Sequence, residues 1–151
     1  MNRVAQGIGV AMALCVFGGQ VAGQAPAKTN LCTLLPKAEV KALLGATDAF
    51  DKVEPRAEES TNGLSCRYAD LLVMVHDGPF TPPPNAESIP GLGKEAFLLS
   101  SATGVELFAN LGTYAGYSKL VISRRLEAGG TAAAGRSGVI AVAKALIAKI
   151  Q

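Results

Sequence analysis

The chain contains no tryptophan, a single histidine (His76) and only five phenylalanines and three tyrosines in 151 residues. One histidine leaves little material for imidazole-based catalysis or for a histidine-rich metal site. There is no Gly-x-Ser-x-Gly turn, so the nucleophile elbow of the α/β-hydrolases is excluded. There is no Cys-x-x-Cys pair, which removes the usual redox dithiol. No acidic calcium-loop pattern occurs. A surplus of charge is lacking too: 14 Lys and Arg stand against 12 Asp and Glu, and 14 less Arg3 leaves 13 for the part beyond the N-terminal segment. Nothing in that balance suits nucleic acid or an anionic surface. No internal repeat is present, and the low-complexity pieces are short: Thr81-Pro82-Pro83-Pro84 and the Ala/Gly stretch at 128–138.

What is present begins with an export signal. Met1 to about Ala27 has a charged start at Arg3 and an apolar centre from Ile8 to Phe17. Small residues follow at Val21, Ala22, Gly23, Ala25 and Ala27. Cleavage is expected after Gly23 or Ala27. The apolar run of Ile8–Phe17 is short for a membrane span, which needs roughly 20 apolar residues. An uncleaved anchor, or lipidation at Cys15, remains an alternative, although Leu14 stands where a lipoprotein signal wants a small residue. Residues 28–151 then form one exported domain, periplasmic or secreted. Membrane contact is expected only through an uncleaved or lipidated N-terminus.

Assigning Cys15 to the export segment leaves two thiols, Cys32 and Cys66. In a small exported domain such a pair is expected to form one structural disulfide. It would staple the first helix to an early strand and close a loop around the polar stretch 46–63.

The spacing predicts a short helix over Lys37–Leu44, with Pro36 as its N-cap, Glu39 in its first turn, Leu35 and Val40 as a hydrophobic staple, and Gly45 as its stop. A first strand is expected near Ala49–Pro55. Leu64–Tyr68 alternates apolar and polar residues, and Leu71–Val75 reads as a central strand covered on both faces. Pro79–Gly93 reads as an extended surface loop. Strands follow at Glu95–Leu99, Val105–Leu111 and Tyr117–Leu126, with a turn at Asn110-Leu111-Gly112. A helix is expected from Ser137 to Ile150, with Val139, Val142, Ala143, Leu146 and Ile150 on one face and Ile140 and Ile147 widening it. The fold class is α+β: an antiparallel sheet of about five or six strands packed with a short N-terminal helix and a C-terminal helix.

A family resemblance rests on three pieces. The first is Cys32-Thr33-Leu34-Leu35-Pro36-Lys37-Ala38-Glu39-Val40, followed by Leu44-Gly45. The second is Ser65-Cys66-Arg67-Tyr68, and the third is Gly91-Leu92-Gly93-Lys94-Glu95-Ala96-Phe97. In this order the chain resembles small exported bacterial proteins of unknown function, often actinobacterial lipoproteins. Its layout is similar to that of PsbP-like domains. Pro36 stands where that pattern has a Thr or Ser cap, and the lipoprotein signal is missing. The resemblance implies a non-catalytic accessory or binding role, with no ligand or cofactor attached.

Each candidate site has a plainer alternative. His76-Asp77 would serve as a base or metal ligand, but no partner residues stand at ligand spacing. Ser118 in Gly116-Tyr117-Ser118-Lys119 would need that same histidine. Gly91-x-Gly93 suits a turn better than a phosphate cradle, because a strand follows it. Glu58-Glu59 and Asp48/Asp51 read as solvated charge. Arg124 and Arg125 alternate across a strand, which argues against their sharing an anion. The best candidate surface is Phe80 with Pro82, Pro83 and Pro84, brought near Tyr114 and Tyr117, as a contact for an envelope or extracellular protein. No catalytic residue, metal site or cofactor is assigned. The functional expectation is an exported, non-catalytic interaction module. Its alternatives are a carrier holding an apolar ligand between sheet and C-terminal helix, or a hydrolase using His76.

Overall fold

The computed structural model describes residues 30–150 except 47, 61, 115, 128 and 129, with backbone alone at 48, 49, 59, 60, 113 and 114. The expected export segment 1–27, with Cys15 and its alternative fates, lies outside the described residues.

The first elements are set by local capping. Helix α1 (Leu31–Leu34) opens where the Asn30 side-chain oxygen accepts the Cys32 N–H at 2.9 Å. Helix α2 runs Lys37–Leu44 as the sequence predicts. Pro36 is its N-cap, and Gly45 closes it in the left-handed region at φ 59°. Leu35 and Val40 are both 0% exposed, as a staple requires.

The expected strand at Ala49–Pro55 is replaced by a 3₁₀ turn over Asp48–Lys52, and strand β1 begins later, at Arg56–Ser60. The cause lies in α2. Lys37 Nζ donates to the Asp51 backbone oxygen (2.6 Å) and to Glu54 Oε1 (3.1 Å), while Lys41 Nζ reaches Asp51 Oδ2 (2.5 Å). These bonds curl the segment against the helix and bury Phe50. The sequence Arg56-Ala57-Glu58-Glu59-Ser60 has no apolar alternation, because β1 is an edge strand.

Strands β2 (Gly63–Tyr68), β3 (Leu71–His76), β4 (Glu87–Ser88), β5 (Glu95–Ser100), β6 (Gly104–Tyr114) and β7 (Tyr117–Arg125) complete one antiparallel sheet in the order β1-β2-β3-β7-β6-β5-β4. The count is seven against an expected five or six. The two additions are β1 and the two-residue β4, which forms inside the segment expected to be an extended surface loop. That segment is also pinned by buried Ile89 and Leu92. The expected turn at Asn110-Leu111-Gly112 lies inside β6. There Gly112 takes φ 73°, and Asn110 Oδ1 accepts its N–H at 3.0 Å, so the chain bulges and continues.

Helix α3 spans Ala132–Ile150, five residues longer at its start than the sequence predicts. Thr131 caps it through Oγ1 to the Ala134 N–H, and Ala132-Ala133-Ala134 are strong helix formers. Val139, Val142, Ala143 and Leu146 are 0% exposed against Leu107, Leu120 and Ile122 of the sheet, with Ile147 also buried and Ile140 and Ile150 half-buried. A Cβ placed on Gly138 would lie 3.0–3.1 Å from Leu44 and Arg124, so α2 and α3 meet almost backbone to backbone. The fold is a two-layer α+β sandwich, with the helices on one face of the sheet. Among the described residues no helix is long and apolar enough to cross a membrane.

Two links tie α1 to β2. Cys32 and Cys66 form the disulfide, with Cα atoms 5.3 Å apart and a sequence separation of 34. Two residues along the same strand, Tyr68 donates its hydroxyl to the Leu35 carbonyl at 2.6 Å and stacks on Phe50.

Gly93 is a backbone-limited position. It sits at φ 60°, and a Cβ there would come within 2.4 Å of the Asn110 carbonyl oxygen. Gly93→Ala is therefore expected to cost about 1–2 kcal/mol, the penalty of the left-handed region, plus a shift at the β5–β6 pairing. Urea unfolding checks it; an unchanged midpoint would contradict the geometry.

Candidate functional site

Strand alternation gives each strand two faces. One face supplies the core beneath the helices. The other carries Met74, Val121, Phe108 and Phe97, which stand side by side across β3, β7, β6 and β5 by register. All four are half-buried. The segment after β3 adds Phe80, whose ring stacks on Phe97 with centroids 6.1 Å apart. Leu71–Val75 was expected to be covered on both faces, and here the structure corrects the sequence. Leu71, Val73 and Val75 are buried under helices, while Leu72 and Met74 belong to this open face. The run is apolar at both parities because both faces are apolar, not because both are covered.

A second row on the same face runs Arg56, Arg67, Leu72, Ser123, Glu106, Leu99. At this end the β2–β3 turn (Ala69-Asp70) and the β5–β6 turn (Ser101–Thr103) bound a cleft of about 900 Å³, lined by Arg67, Arg125, Leu72, Leu99, Ser123 and Glu106 among others. Ser123 Oγ donates to Glu106 Oε1 at 2.9 Å. Arg124 lies on the helix side, where its Nε bonds Asp70 Oδ2 at 2.9 Å and Nη1 reaches the Leu44 carbonyl. Arg124 and Arg125 thus face opposite ways, as their alternation predicts. Arg136 pairs with both oxygens of Glu87, drawing that carboxyl below its ordinary range and fastening β4 to α3. Arg56, Arg67 and Arg125, by contrast, make no side-chain hydrogen bond or ion pair among the described residues, and all three sit at one end of the open face.

The other candidates disperse. His76 lies at the end of β3 on the open face, in register with Lys119. Ser118 faces the other way and is bound into a turn. It donates to the Gly78 carbonyl (2.7 Å), with Asp77 Oδ1 3.2 Å away as the alternative acceptor, and it accepts the Gly78 N–H. Histidine, serine and aspartate are therefore adjacent in the fold but not aligned for proton transfer. Asp51 is held by the α2 lysines, and Glu58 is exposed on β1. The side chains of Asp48 and Glu59 lie outside the described residues. Gly91 and Gly93 both take positive φ in the turn before β5. Among the described residues, no three of His, Cys, Asp and Glu gather as a metal site.

Of the expected contact residues, Phe80 and Pro83 are half-buried, and Pro82 and Pro84 are exposed. The ring partner of Phe80 is Phe97. Tyr117 is half-buried against the core and pairs with Tyr114 across the β6–β7 hairpin, while the Tyr114 side chain lies outside the described residues. The row Met74–Val121–Phe108–Phe97 and the Arg67–Arg125 end were missed from sequence. The signal for the row was there: apolar residues at the second parity of β3 and β5. No local signal links Arg67 to Arg125, which only the sheet order brings to one cleft. Compared with known proteins, the chain matches no family model, no curated protein and no solved structure.

Proposed function

We propose that this protein is an exported, non-catalytic interaction module that docks a protein partner of the envelope or extracellular space on the open face of its sheet. The carrying observation is the contiguous apolar row Met74, Val121, Phe108 and Phe97 on a face without a helix layer. The outer face of a two-layer antiparallel sheet is ordinarily polar, and a contiguous apolar patch on such a surface marks an interaction site. Phe80 extends the row, and the stiff Pro82-Pro83-Pro84 segment forms its rim at that edge. Tyr117, with Tyr114 across the hairpin, belongs to the same proposal. Charged groups of both signs surround the row, namely Arg67, Arg125 and Lys119 with Glu58, Glu95 and Glu106, as in the polar rim of an interface. The disulfide is compatible with an oxidising compartment, and the export segment supports secretion to one. The packing does not favour an apolar ligand between sheet and α3, because that space is filled by side chains 0% exposed.

A photocrosslinking residue at Phe108 is expected to capture one partner in the exported compartment, and the same residue at Lys144, exposed on α3, is expected not to. Phe108→Glu should abolish capture from a second crosslinker at Phe97 while lowering stability by about 1 kcal/mol or less, since the side chain is only half-buried. Equal capture from Lys144, or capture unaffected by Phe108→Glu, would refute the open face as the docking surface.

A further inference from the structure

The arginine end of the open face adds a chemical requirement. Two of the described arginines are neutralised, Arg124 by Asp70 and Arg136 by Glu87, and Arg56, on the edge strand β1, does not line the cleft. Arg67 and Arg125 line the same cleft with no side-chain partner among the described residues. By register, Arg67 and Ser123 share a row two strands apart, roughly 9.6 Å at the usual strand spacing, and Arg125 follows Ser123 by one alternation on the same face. The two guanidiniums therefore flank the cleft rather than stack. The Asp70–Arg124 pair at its edge is internally neutral, and Glu106 contributes a single negative charge, held by Ser123. The lining is thus net positive by one charge. Between the arginines the floor is Leu72, half-buried, while Leu99, also half-buried, lines the cleft beyond Glu106, and the apolar surface continues into Met74, Val121, Phe108 and Phe97. The volume of about 900 Å³ lies within the range of ligand clefts.

We infer that this cleft binds an amphipathic anion. Its oxyanion head, a carboxylate or phosphate, sits between Arg67 and Arg125, and its apolar chain lies over Leu72 toward Met74 and the aromatic row. Guanidinium groups match oxyanions through paired N–H donors, and the apolar floor distinguishes such a ligand from a bare ion. The inference rests on the open face being the binding surface, and it identifies what one end of that face accepts.

The test uses protein produced from the full chain, followed by amide NMR and calorimetry. The probes are octanoate, octyl phosphate, acetate and the uncharged octyl glucoside. Octanoate or octyl phosphate should move the amides of Arg67, Leu72, Leu99 and Arg125, and should bind about tenfold or more tighter than acetate or octyl glucoside. Whichever of the two binds more tightly identifies the head as carboxylate or phosphate. Arg67→Gln with Arg125→Gln should weaken binding about tenfold or more, as loss of charge-assisted hydrogen bonds does. Glu106→Gln should tighten it a few-fold by removing the opposing charge, and Lys144→Gln, exposed on α3, should leave it unchanged. Octyl glucoside binding as tightly as octanoate, full affinity in the double glutamine variant, or amide shifts confined to the helix side would each overturn the inference. Loss of octanoate binding on Arg67→Gln/Arg125→Gln with partner capture at Phe108 intact would show that the cleft and the protein-docking row act separately, which also supports it. Loss of capture with no anion binding by the unmodified protein would refute both readings.

Discussion

Replacing Cys32 and Cys66 together by alanine should lower the unfolding free energy by roughly 3.5–4 kcal/mol, the chain-entropy value for a loop of this size. The bridge closes 34 positions of chain, and that loop includes α2, the 3₁₀ turn and β1. None of these has many other anchors to the sheet. β1 is an edge strand paired only to β2, and the 3₁₀ turn is held by Phe50 and the lysines of α2. Opening the loop therefore releases the least regular third of the domain. For a domain of this size, each kcal/mol shifts Tm by about 3–6 °C, so a fall of roughly 10–20 °C is expected on thermal unfolding.

The expected pattern across variants is as informative as the size. Cys66→Ala alone and the double variant should lose nearly the same amount, because both lose the bond and the buried Cys66 sulfur, which is 0% exposed and leaves a small void. Cys32→Ala should lose slightly less, because the Cys66 thiol still fills its site. A reducing agent should shift the unmodified protein toward the Cys32→Ala value and leave the double variant where it was. A Tm indifferent to reducing agent would show that the bridge does not carry this load.

The extent to which the fold could be read in advance follows from where its determinants lie. Helix α2 was legible to the residue, because Pro36, Glu39, Val40 and Gly45 act within the helix itself. The Cys32–Cys66 pair was legible because, with Cys15 assigned to the expected export segment, only two thiols remained, and a small exported domain was expected to join them. β1 was not legible: an edge strand of Arg56, Ala57 and Glu58 has no pattern of its own and exists by pairing to β2. The one-sided covering of β3 was hidden for a different reason. Leu72 and Met74 are as apolar as Leu71 and Val73, and hydropathy cannot tell a residue under a helix from one in an open apolar row. The arginine cleft was hidden because Arg67 lies on β2 and Arg125 on β7, neighbours only through the intervening β3.

Tyr68→Phe carries the second large expected effect, and it is visible in the pH dependence. The Tyr68 side chain is 1% exposed, and its hydroxyl donates to the carbonyl of Leu35, itself 0% exposed. Removing the hydroxyl leaves that buried carbonyl without its partner, which should cost about 2 kcal/mol at pH 7. Burial, reinforced by the negative charge of Glu39, pushes the phenol well above its ordinary value of 10. The folded protein therefore holds this proton more tightly than the unfolded chain does. The stability it contributes is intact below about pH 10, where the phenol is protonated in both states. It then declines as pH rises toward the folded-state value, by up to about 1.4 kcal/mol per pH unit. Phenylalanine has no proton to lose, so this part of the alkaline decline should be absent from Tyr68→Phe. Urea unfolding at pH 7, 10, 11 and 11.5 should show the unmodified protein ahead at first, the gap narrowing above pH 10, and the two curves meeting near pH 11.5. Every other side chain is common to the two proteins, so the difference isolates Tyr68. Two curves that stay parallel through pH 11.5 would mean that the Tyr68 proton is not held by the fold and that its bond to Leu35 contributes packing alone.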